Sequence, residues 1–264
     1  MRIRNTDFDF AKTTYVMGIL NVTPDSFSDG GLHNSTEDAV RHALEMEAEG
    51  AAIIDIGGES TRPGYTGVSE DEELSRVIPV IKALRNETDI PISVDTTKAA
   101  VADAAVAAGA DIINTVSGLS ISTGMLSVAK ESGSVLVMTY ENSYVNQFGE
   151  ALIGMAETAV EAGISADRII VDPGIGFGKT RDENLRIVNE LPLITQIGYP
   201  VLLGCSRKSF IRDVLGVEAK DALDGTLVTT VLAALAGVGI VRVHDVKENV
   251  RVVKMLSAVV NSAV

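Results

Sequence analysis

The chain has 264 residues, of which 46% are apolar and only 4% aromatic, and its formal net charge at pH 7 is −14. The length suits one large domain, which we expect over residues 1–264. The charge excludes a nucleic-acid partner, because a polyanion is repelled unless a basic patch attracts it, and no run of Lys or Arg supplies one.

Short apolar runs rich in β-branched residues recur along the chain and predict eight strands. These runs are residues 15–20, 51–56, 90–94, 111–116, 135–138, 168–171, 201–205 and 240–243. Stretches with helical spacing lie between them, for example residues 37–49, 70–87, 97–108 and 150–162. Glycines precede several of the strands, as helix C-caps do, namely Gly50, Gly109, Gly163, Gly198 and Gly239.

The strict alternation of strand and helix predicts right-handed βαβ units and a parallel sheet. Eight units of similar length favour closure into a (β/α)8 TIM barrel, an α/β fold whose active site lies at the carboxyl ends of the strands. An open doubly wound sheet is the alternative, although the pattern shows no obvious switch point in strand order.

Polar residues stand at the ends of nearly all the predicted strands, namely Asn21, Glu59, Asp95, Asn114, Thr139, Asp172, Ser206, Lys208, Arg242 and His244. Taken singly, an Asp or Asn after a strand caps a helix or a turn more often than it binds a ligand. Their convergence at one barrel mouth favours a binding site. Carboxylates, an amide and a lysine suit a flat heterocycle, whereas Arg242 and His244 suit a phosphate group. Asn21 offers a neutral oxygen to a hard cation such as Mg²⁺.

Three other motifs are weaker. Residues 174–180 look like a phosphate loop, but Pro173 stands where that motif needs its first glycine, and Lys179 replaces the third glycine of a dinucleotide fingerprint. Phe177 in this segment suits stacking on a ligand and packing equally well. The histidines are far apart and give no zinc signature. A Schiff-base role for Lys208 is disfavoured, because we expect an exposed turn with nothing to lower its pKa.

We expect a cytoplasmic protein without a membrane span. The first ten residues contain no apolar signal segment, and Cys205, the only cysteine, excludes an intrachain disulfide and is expected to be buried. The longest apolar stretch, residues 227–241, is shorter than the roughly 18 to 20 residues needed to cross a bilayer. It predicts a buried helix that leads into a strand.

Two long segments carry a family resemblance. Residues 17–31 read MGILNVTPDSFSDGG, and residues 55–64 read DIGGESTRPG. Shorter matches follow in the same order at residues 94–96, 113–114, 172–179, 206–209 and 242–246. The chain resembles dihydropteroate synthases, barrel enzymes that join 6-hydroxymethyl-7,8-dihydropterin pyrophosphate to para-aminobenzoate and release pyrophosphate in folate biosynthesis.

The resemblance implies a set of site residues. The pterin would be bound by Asp95, Asn114, Met138, Asp172, Gly204 and Lys208. The pyrophosphate would be bound by Asn21, Arg242 and His244, with Asn21 also a ligand of the cofactor Mg²⁺. The para-aminobenzoate site would comprise Thr61, Arg62, Pro63, Phe177, Lys208 and Ser209. Catalytic contributions would come from Asp95, Lys208 and Asp29. The resemblance also implies a homodimer formed through the late helices, including the apolar segment 223–236.

Two departures from the family pattern bear on the ligand. Thr115 stands where the family commonly has Asp, and Thr139-Tyr140 stands where it commonly has His-Met, so the preferred pterin is left open. A pterin-dependent methyltransferase, which moves a methyl group from a folate to a corrinoid protein, is the alternative function. It needs no anion site, so Arg242 and His244 argue against it. A non-catalytic pterin-binding barrel is the third possibility.

Overall fold

The structure, a computed structural model, describes residues 1–22, 31–59 and 67–262. A small antiparallel hairpin comes first and is followed by eight parallel strands in one sheet. The hairpin consists of β1 (Arg2–Ile3) and β2 (Thr6–Asp7). The parallel strands are β3 (Tyr15–Asn21), β4 (Ile53–Gly57), β5 (Ile92–Asp95), β6 (Ile112–Thr115), β7 (Val135–Thr139), β8 (Ile169–Asp172), β9 (Leu202–Leu203) and β10 (Ile240–Val243).

The parallel sheet closes on itself. Its strand order is β8-β7-β6-β5-β4-β3-β10-β9, and a parallel bridge between Val171 and Val201 joins the two edge strands. The backbone N–H of Val171 also donates to the carbonyl of Pro200 at 3.0 Å. The predicted (β/α)8 barrel is therefore confirmed, and the open doubly wound sheet is excluded. β9 is shorter than predicted because only Leu202 and Leu203 pair with β10.

Helices follow the barrel strands and cover the outside of the sheet. They are α1 (Gly31–Glu49), α2 (Glu70–Glu87), α3 (Ala99–Ala108), α4 (Thr123–Ser132), α5 (Phe148–Glu161), α6 (Arg181–Ile194), α7 (Ser209–Leu215), α8 (Leu223–Leu235) and α9 (Val246–Asn261). α2 has the predicted bounds, and Ser69 caps its amino end by accepting from the Glu72 backbone N–H at 3.2 Å. α6 begins with a capping box formed by Thr180 and Glu183.

Four of the predicted glycine caps have the left-handed backbone that favours glycine, but Gly239 does not. The positive φ there belongs to Gly237, at 83°. Gly239 is glycine for another reason, because a Cβ at this position would lie 2.8 Å from the Phe10 ring.

Alternation along each strand divides the side chains into two layers. One layer fills the barrel interior and includes Met17, Ile53, Ile112, Val137, Ile170 and Ile240, together with Ile3 and Phe8 of the amino-terminal segment. The other layer packs against the helices and includes Ile54, Val94, Ile113, Met138 and Val171. The interior positions nearest the carboxyl ends of the strands therefore face the mouth of the barrel.

Three expectations about apolar segments have mixed outcomes. In the described part of the chain, no helix combines the length and apolarity needed to cross a bilayer. Cys205 is buried, and burial raises its pKa to about 12. However, α8 is not a fully buried helix, because Val228, Leu232 and Leu235 are exposed on its surface.

Candidate active site

A buried ion-pair cluster links four strands at the barrel mouth. The Nε atom of Arg242 on β10 donates to Asp55 Oδ2 on β4 at 2.5 Å, and its Nη2 donates to Asp95 Oδ2 on β5 at 2.7 Å. The Asn114 Nδ2 atom on β6 donates to the two Asp55 oxygens at 3.2 and 3.3 Å. The parallel register brings these residues together, because Asp95 lies directly beside Asn114.

The guanidinium of Arg242 forms ion pairs with two buried carboxylates, Asp55 and Asp95. Burial raises the pKa of Asp95 to about 7, with Arg242 opposing the shift and Asp55 and Glu73 adding to it. Burial lowers the pKa of Arg242, but Asp55 and Asp95 outweigh burial and raise it above its ordinary value. Asp95 is 8% exposed and Asp55 is 0% exposed. Asp95 is therefore the carboxyl of this pair that a ligand can reach.

A second polar group stands across the mouth. Asp172 Oδ1 accepts from the Gly174 backbone N–H at 2.7 Å, which confirms the turn-capping role expected of such an Asp. A Cβ at Gly204 would lie 3.9 Å from Asp172 Oδ2 and 3.8 Å from Lys208 Nζ. Glycine at this position therefore leaves open the space between a carboxylate and an ammonium group.

Lys208 is half-buried, so the expectation of an exposed lysine was wrong. Burial lowers its pKa and Asp172 opposes the shift, while burial raises the pKa of Asp172 and Lys208 opposes it. Its Nζ donates to the Ile175 carbonyl and lies 4.6 Å from the centre of the half-buried Phe177 ring. The turn after β9 and the segment after β8 thus meet at this lysine.

Lys179 fixes the segment after β8 to the end of β7. Its Nζ donates to the Tyr140 carbonyl at 2.7 Å and to the Phe177 carbonyl at 3.1 Å. Burial lowers its pKa to about 8. The loop that resembled a phosphate loop therefore uses its lysine to hold the backbone beside Phe177.

His244, Asn21 and Ser209 stand at or after the ends of β10, β3 and β9, respectively. The Ser206 Oγ atom lies 2.9 Å from His244 Nδ1 and accepts from the His244 backbone N–H at 3.2 Å, which fixes the imidazole through its Nδ1 edge. Asn21 is the last residue of β3 and is half-buried. Ser209 is exposed and is the first residue of α7.

Glu59, Glu73 and Lys98 form a third polar cluster beside Asp95. Lys98 Nζ donates to Glu59 and to Glu73 Oε2, the latter at 2.6 Å. Burial lowers the pKa of Lys98, but the two carboxylates outweigh burial and raise it. The ammonium group of Lys98 is thus hydrogen bonded to Glu59 and Glu73 within the protein.

The structure brings together most of the residues expected at the site, with one correction and one addition. Met138 does not face the mouth: it is fully buried in the layer between strands and helices, and strand alternation gives the interior position to Thr139. Asp55 was not expected at the site, although a charged residue inside an apolar run was a usable signal. Four expected residues lie outside the described part of the chain, namely Asp29, Thr61, Arg62 and Pro63.

Comparison with known proteins identifies the family. Residues 17–244 match the pterin binding enzyme family. The dihydropteroate synthase of Bacillus subtilis is 51% identical over 258 residues, covering 96% of this chain and 90% of the relative.

Two solved structures agree with this match. The dihydropteroate synthase of Clostridium difficile, determined in the presence of pteroic acid, is 46% identical with a TM-score of 0.90, covering 96% of this chain and 99% of that one. The Xanthomonas albilineans enzyme with 4-aminobenzoic acid is 42% identical with a TM-score of 0.90, covering 96% and 95% of the two chains. The chain therefore belongs to the pterin-binding enzymes and, within them, to the dihydropteroate synthases.

Proposed function

We propose that this enzyme joins 6-hydroxymethyl-7,8-dihydropterin pyrophosphate to para-aminobenzoate and releases pyrophosphate. The observation that carries the proposal is the convergence of buried polar side chains from several strands around the space left open at Gly204. Relatives support both substrates, because one solved structure was determined in the presence of pteroic acid and another contains 4-aminobenzoic acid.

The pterin ring is assigned to the mouth between the two polar groups. Asp95 and Asp172 accept hydrogen bonds from ring N–H groups, Asn114 supplies an amide and Lys208 donates to ring acceptors. Because these groups are buried or half-buried, a ligand that leaves one unpaired loses the desolvation free energy of that group. The ring is therefore selected by its pattern of donors and acceptors.

The pyrophosphate is assigned to Arg242, His244 and Asn21. The two ion pairs of Arg242 use two of its five N–H groups. A Cβ at Gly57 would lie 3.9 Å from both Asn21 Oδ1 and Asp95 Oδ2, so glycine leaves open a space lined by two oxygen atoms. A neutral oxygen such as Asn21 Oδ1 fits Mg²⁺.

Mg²⁺ is proposed as the cofactor, with Asn21 as its protein ligand. In the described part of the chain, no group of three or more His, Cys, Asp or Glu residues is placed to hold a metal ion alone. Mg²⁺ usually completes its shell with waters and substrate phosphates, which suits a site with one protein oxygen. When bound, Mg²⁺ would neutralise negative charge on the leaving pyrophosphate.

The reaction needs no protein nucleophile. The bond between the pterin methylene carbon and the pyrophosphate oxygen breaks, the amine nitrogen of para-aminobenzoate bonds to that carbon, and the nitrogen then loses a proton. The carboxylate of Asp95 stabilises positive charge on the methylene carbon, while Arg242 and His244 stabilise the departing anion. Phe177, Lys208 and Ser209 are assigned to para-aminobenzoate. Asp29, Thr61, Arg62 and Pro63 keep their expected roles as predictions.

A homodimer through the late helices is also proposed. α8 and α9 pack together and expose Val228, Leu232, Leu235, Met255 and Val259. Exposed apolar residues concentrated on adjoining helices are typical of a subunit interface. Light scattering should give the mass of a dimer, and Leu235→Glu should give that of a monomer. Val160→Glu, on the surface of α5, is the matched control. The cytoplasmic location stays a prediction.

Turnover measurements test the activity directly. Pyrophosphate release should require the pterin pyrophosphate, para-aminobenzoate and Mg²⁺ together. Lys208→Ala and Asp172→Ala should each weaken binding of the pterin pyrophosphate by about 10- to 100-fold in calorimetry, because each removes a charged hydrogen-bonding group assigned to the pterin ring. Wild-type protein that releases no pyrophosphate, or variants that bind as tightly as wild type, would overturn the proposal.

A further inference from the structure

Asp55 is a buried carboxylate that contacts two ligand-binding residues. We infer that Asp55 is a positioning residue, which orients the Asn114 amide toward the pterin ring and holds the Arg242 guanidinium beside the pyrophosphate. The inference rests on the proposed function, and it concerns how the site is held in shape before substrate arrives.

The register places Asp55 one layer deeper in the barrel than the residues that a ligand reaches. Asp55 pairs with Ser93, and Ser93 pairs with Ile112. Asp95 and Asn114 pair with each other two residues nearer the carboxyl ends of the strands. Asp55 is also 0% exposed, so it acts on the ligand only through its neighbours.

The contact with Asn114 decides which end of its amide faces the mouth. An ionised carboxylate only accepts hydrogen bonds, so the amide edge toward Asp55 has to be the NH₂ group. That group lies 3.2 and 3.3 Å from the two carboxylate oxygens. The Asn114 carbonyl oxygen is therefore turned away from the deeper layer, and a ligand in the mouth meets a fixed hydrogen-bond acceptor.

The contact with Arg242 provides an anchor that the ligand does not disturb. Arg242 donates to Asp95 through Nη2 and to Asp55 through Nε. A pterin that hydrogen bonds to Asp95 competes with the hydrogen bond from Arg242 Nη2. The deeper Asp55 is not reached by the ligand and continues to accept from Arg242 Nε. The guanidinium thus stays beside the ring with its other N–H groups available to the pyrophosphate, and less conformational freedom is lost on binding.

A purely stabilising role makes different predictions from this positioning role. Buried ion pairs often add little net stability compared with apolar residues of the same shape. Ser93 provides a matched comparison, because it is the fully buried neighbour of Asp55 in the same layer and its hydroxyl has no hydrogen-bond partner within the described chain. Ser93→Ala should therefore leave ligand affinity unchanged while changing the same layer of the barrel.

The test uses Asp55→Asn and calorimetry with two probes. The first probe is 6-hydroxymethyl-7,8-dihydropterin, which has the ring alone, and the second is inorganic pyrophosphate with Mg²⁺. The new amide at position 55 keeps one oxygen to accept from Arg242, and its NH₂ group takes the place of the other oxygen, 3.3 Å from the Asn114 NH₂ group. Because an amide NH₂ group only donates, Asn114 loses one of its two contacts, and the reversed Asn114 amide becomes a competing orientation. We expect both affinities to fall by about 10- to 100-fold, as for the loss of a charge-assisted hydrogen bond, with Ser93→Ala unchanged.

The exchange variant Asp55→Asn with Asn114→Asp restores the hydrogen-bond pattern with the partners swapped. It again presents an oxygen to the mouth, so ring affinity should return to within about threefold of wild type, as expected for a directional contact and not for a loss of stability. If Asp55→Asn does not fold, the exchange variant is the test by itself.

Three outcomes would overturn the inference, namely unchanged affinities in Asp55→Asn, a folded exchange variant that fails to bind the ring, and failure of both variants to fold. Wild-type protein that binds neither probe would refute the proposed function instead.

Discussion

The raised pKa of Asp95 predicts a measurable pH dependence of pterin affinity. Ring N–H groups donate to the ionised carboxylate, so the protonated enzyme has to lose a proton before it binds. With a pKa of about 7, the ionised fraction is about one tenth at about pH 6 and about nine tenths at about pH 8. Apparent affinity scales with that fraction, so the dissociation constant should fall about tenfold between these two pH values.

The assay is calorimetry with 6-hydroxymethyl-7,8-dihydropterin, because phosphate groups ionise in the same pH range and would obscure the result. Asp95→Asn is the control, and its weaker affinity should not change across this range. The charged groups that surround Asp95 and set its pKa are Arg242, Asp55, Glu73 and Lys208. A wild-type midpoint below about pH 5, or an equal slope in Asp95→Asn, would refute this reasoning.

Two further predictions concern the same mouth. Gly204→Ala should fold normally, because its Cβ contacts of 3.8 to 4.0 Å are ordinary, yet lower pterin affinity by at least about tenfold by filling the slot; unchanged affinity in calorimetry would contradict this. Burial also raises the pKa of Asp95 from its ordinary value of 3.8 to about 7. Protonation of Asp95 therefore stabilises the ligand-free fold fully below about pH 4, and this stabilisation is lost as the pH rises through 7. Urea unfolding should show this loss, at most roughly 4 kcal/mol, in wild type relative to Asp95→Asn, and parallel pH profiles would refute it.

The barrel and most of its polar mouth were predictable because both follow from local patterns. Strand and helix alternate without interruption, and Asp95, Asp172 and Arg242 stand at or near the ends of apolar runs. Asp55 escaped this reasoning because it lies inside its run, one alternation before the strand end. A charge at an inward-facing position within an apolar strand is costly unless it is paired, so it indicates a buried partner such as Arg242.

The error at Met138 has a different origin. The residue was assigned from the family resemblance, whereas the direction of its side chain is set by its position in β7. Val137 belongs to the barrel interior and Met138 to the outer layer, so the next inward position is Thr139, directly beside Asp172 in the register. Counting alternate residues from a known interior position gives the correct residue, and a shift of one residue reverses the answer.

Counting alternate residues along the strands also distinguishes the two departures from the family pattern, because Thr115 faces outward and Thr139 faces inward. Thr115 follows the inward-facing Asn114 and points to the outer layer, where its Oγ1 lies 2.9 Å from Ser117 Oγ and accepts from the Ser117 backbone N–H at 3.4 Å. A threonine thus performs the turn-capping role that an aspartate would have there. We expect Thr115→Asp to leave both stability and pterin affinity nearly unchanged, and Thr139→His, at an inward position, to alter pterin affinity. Chemical unfolding and calorimetry on both variants test this. If Thr115→Asp changed pterin affinity more than Thr139→His, the outer layer would contribute to the choice of pterin. The alternation of inward and outward side chains along a strand would then not be enough to locate the residues that determine specificity.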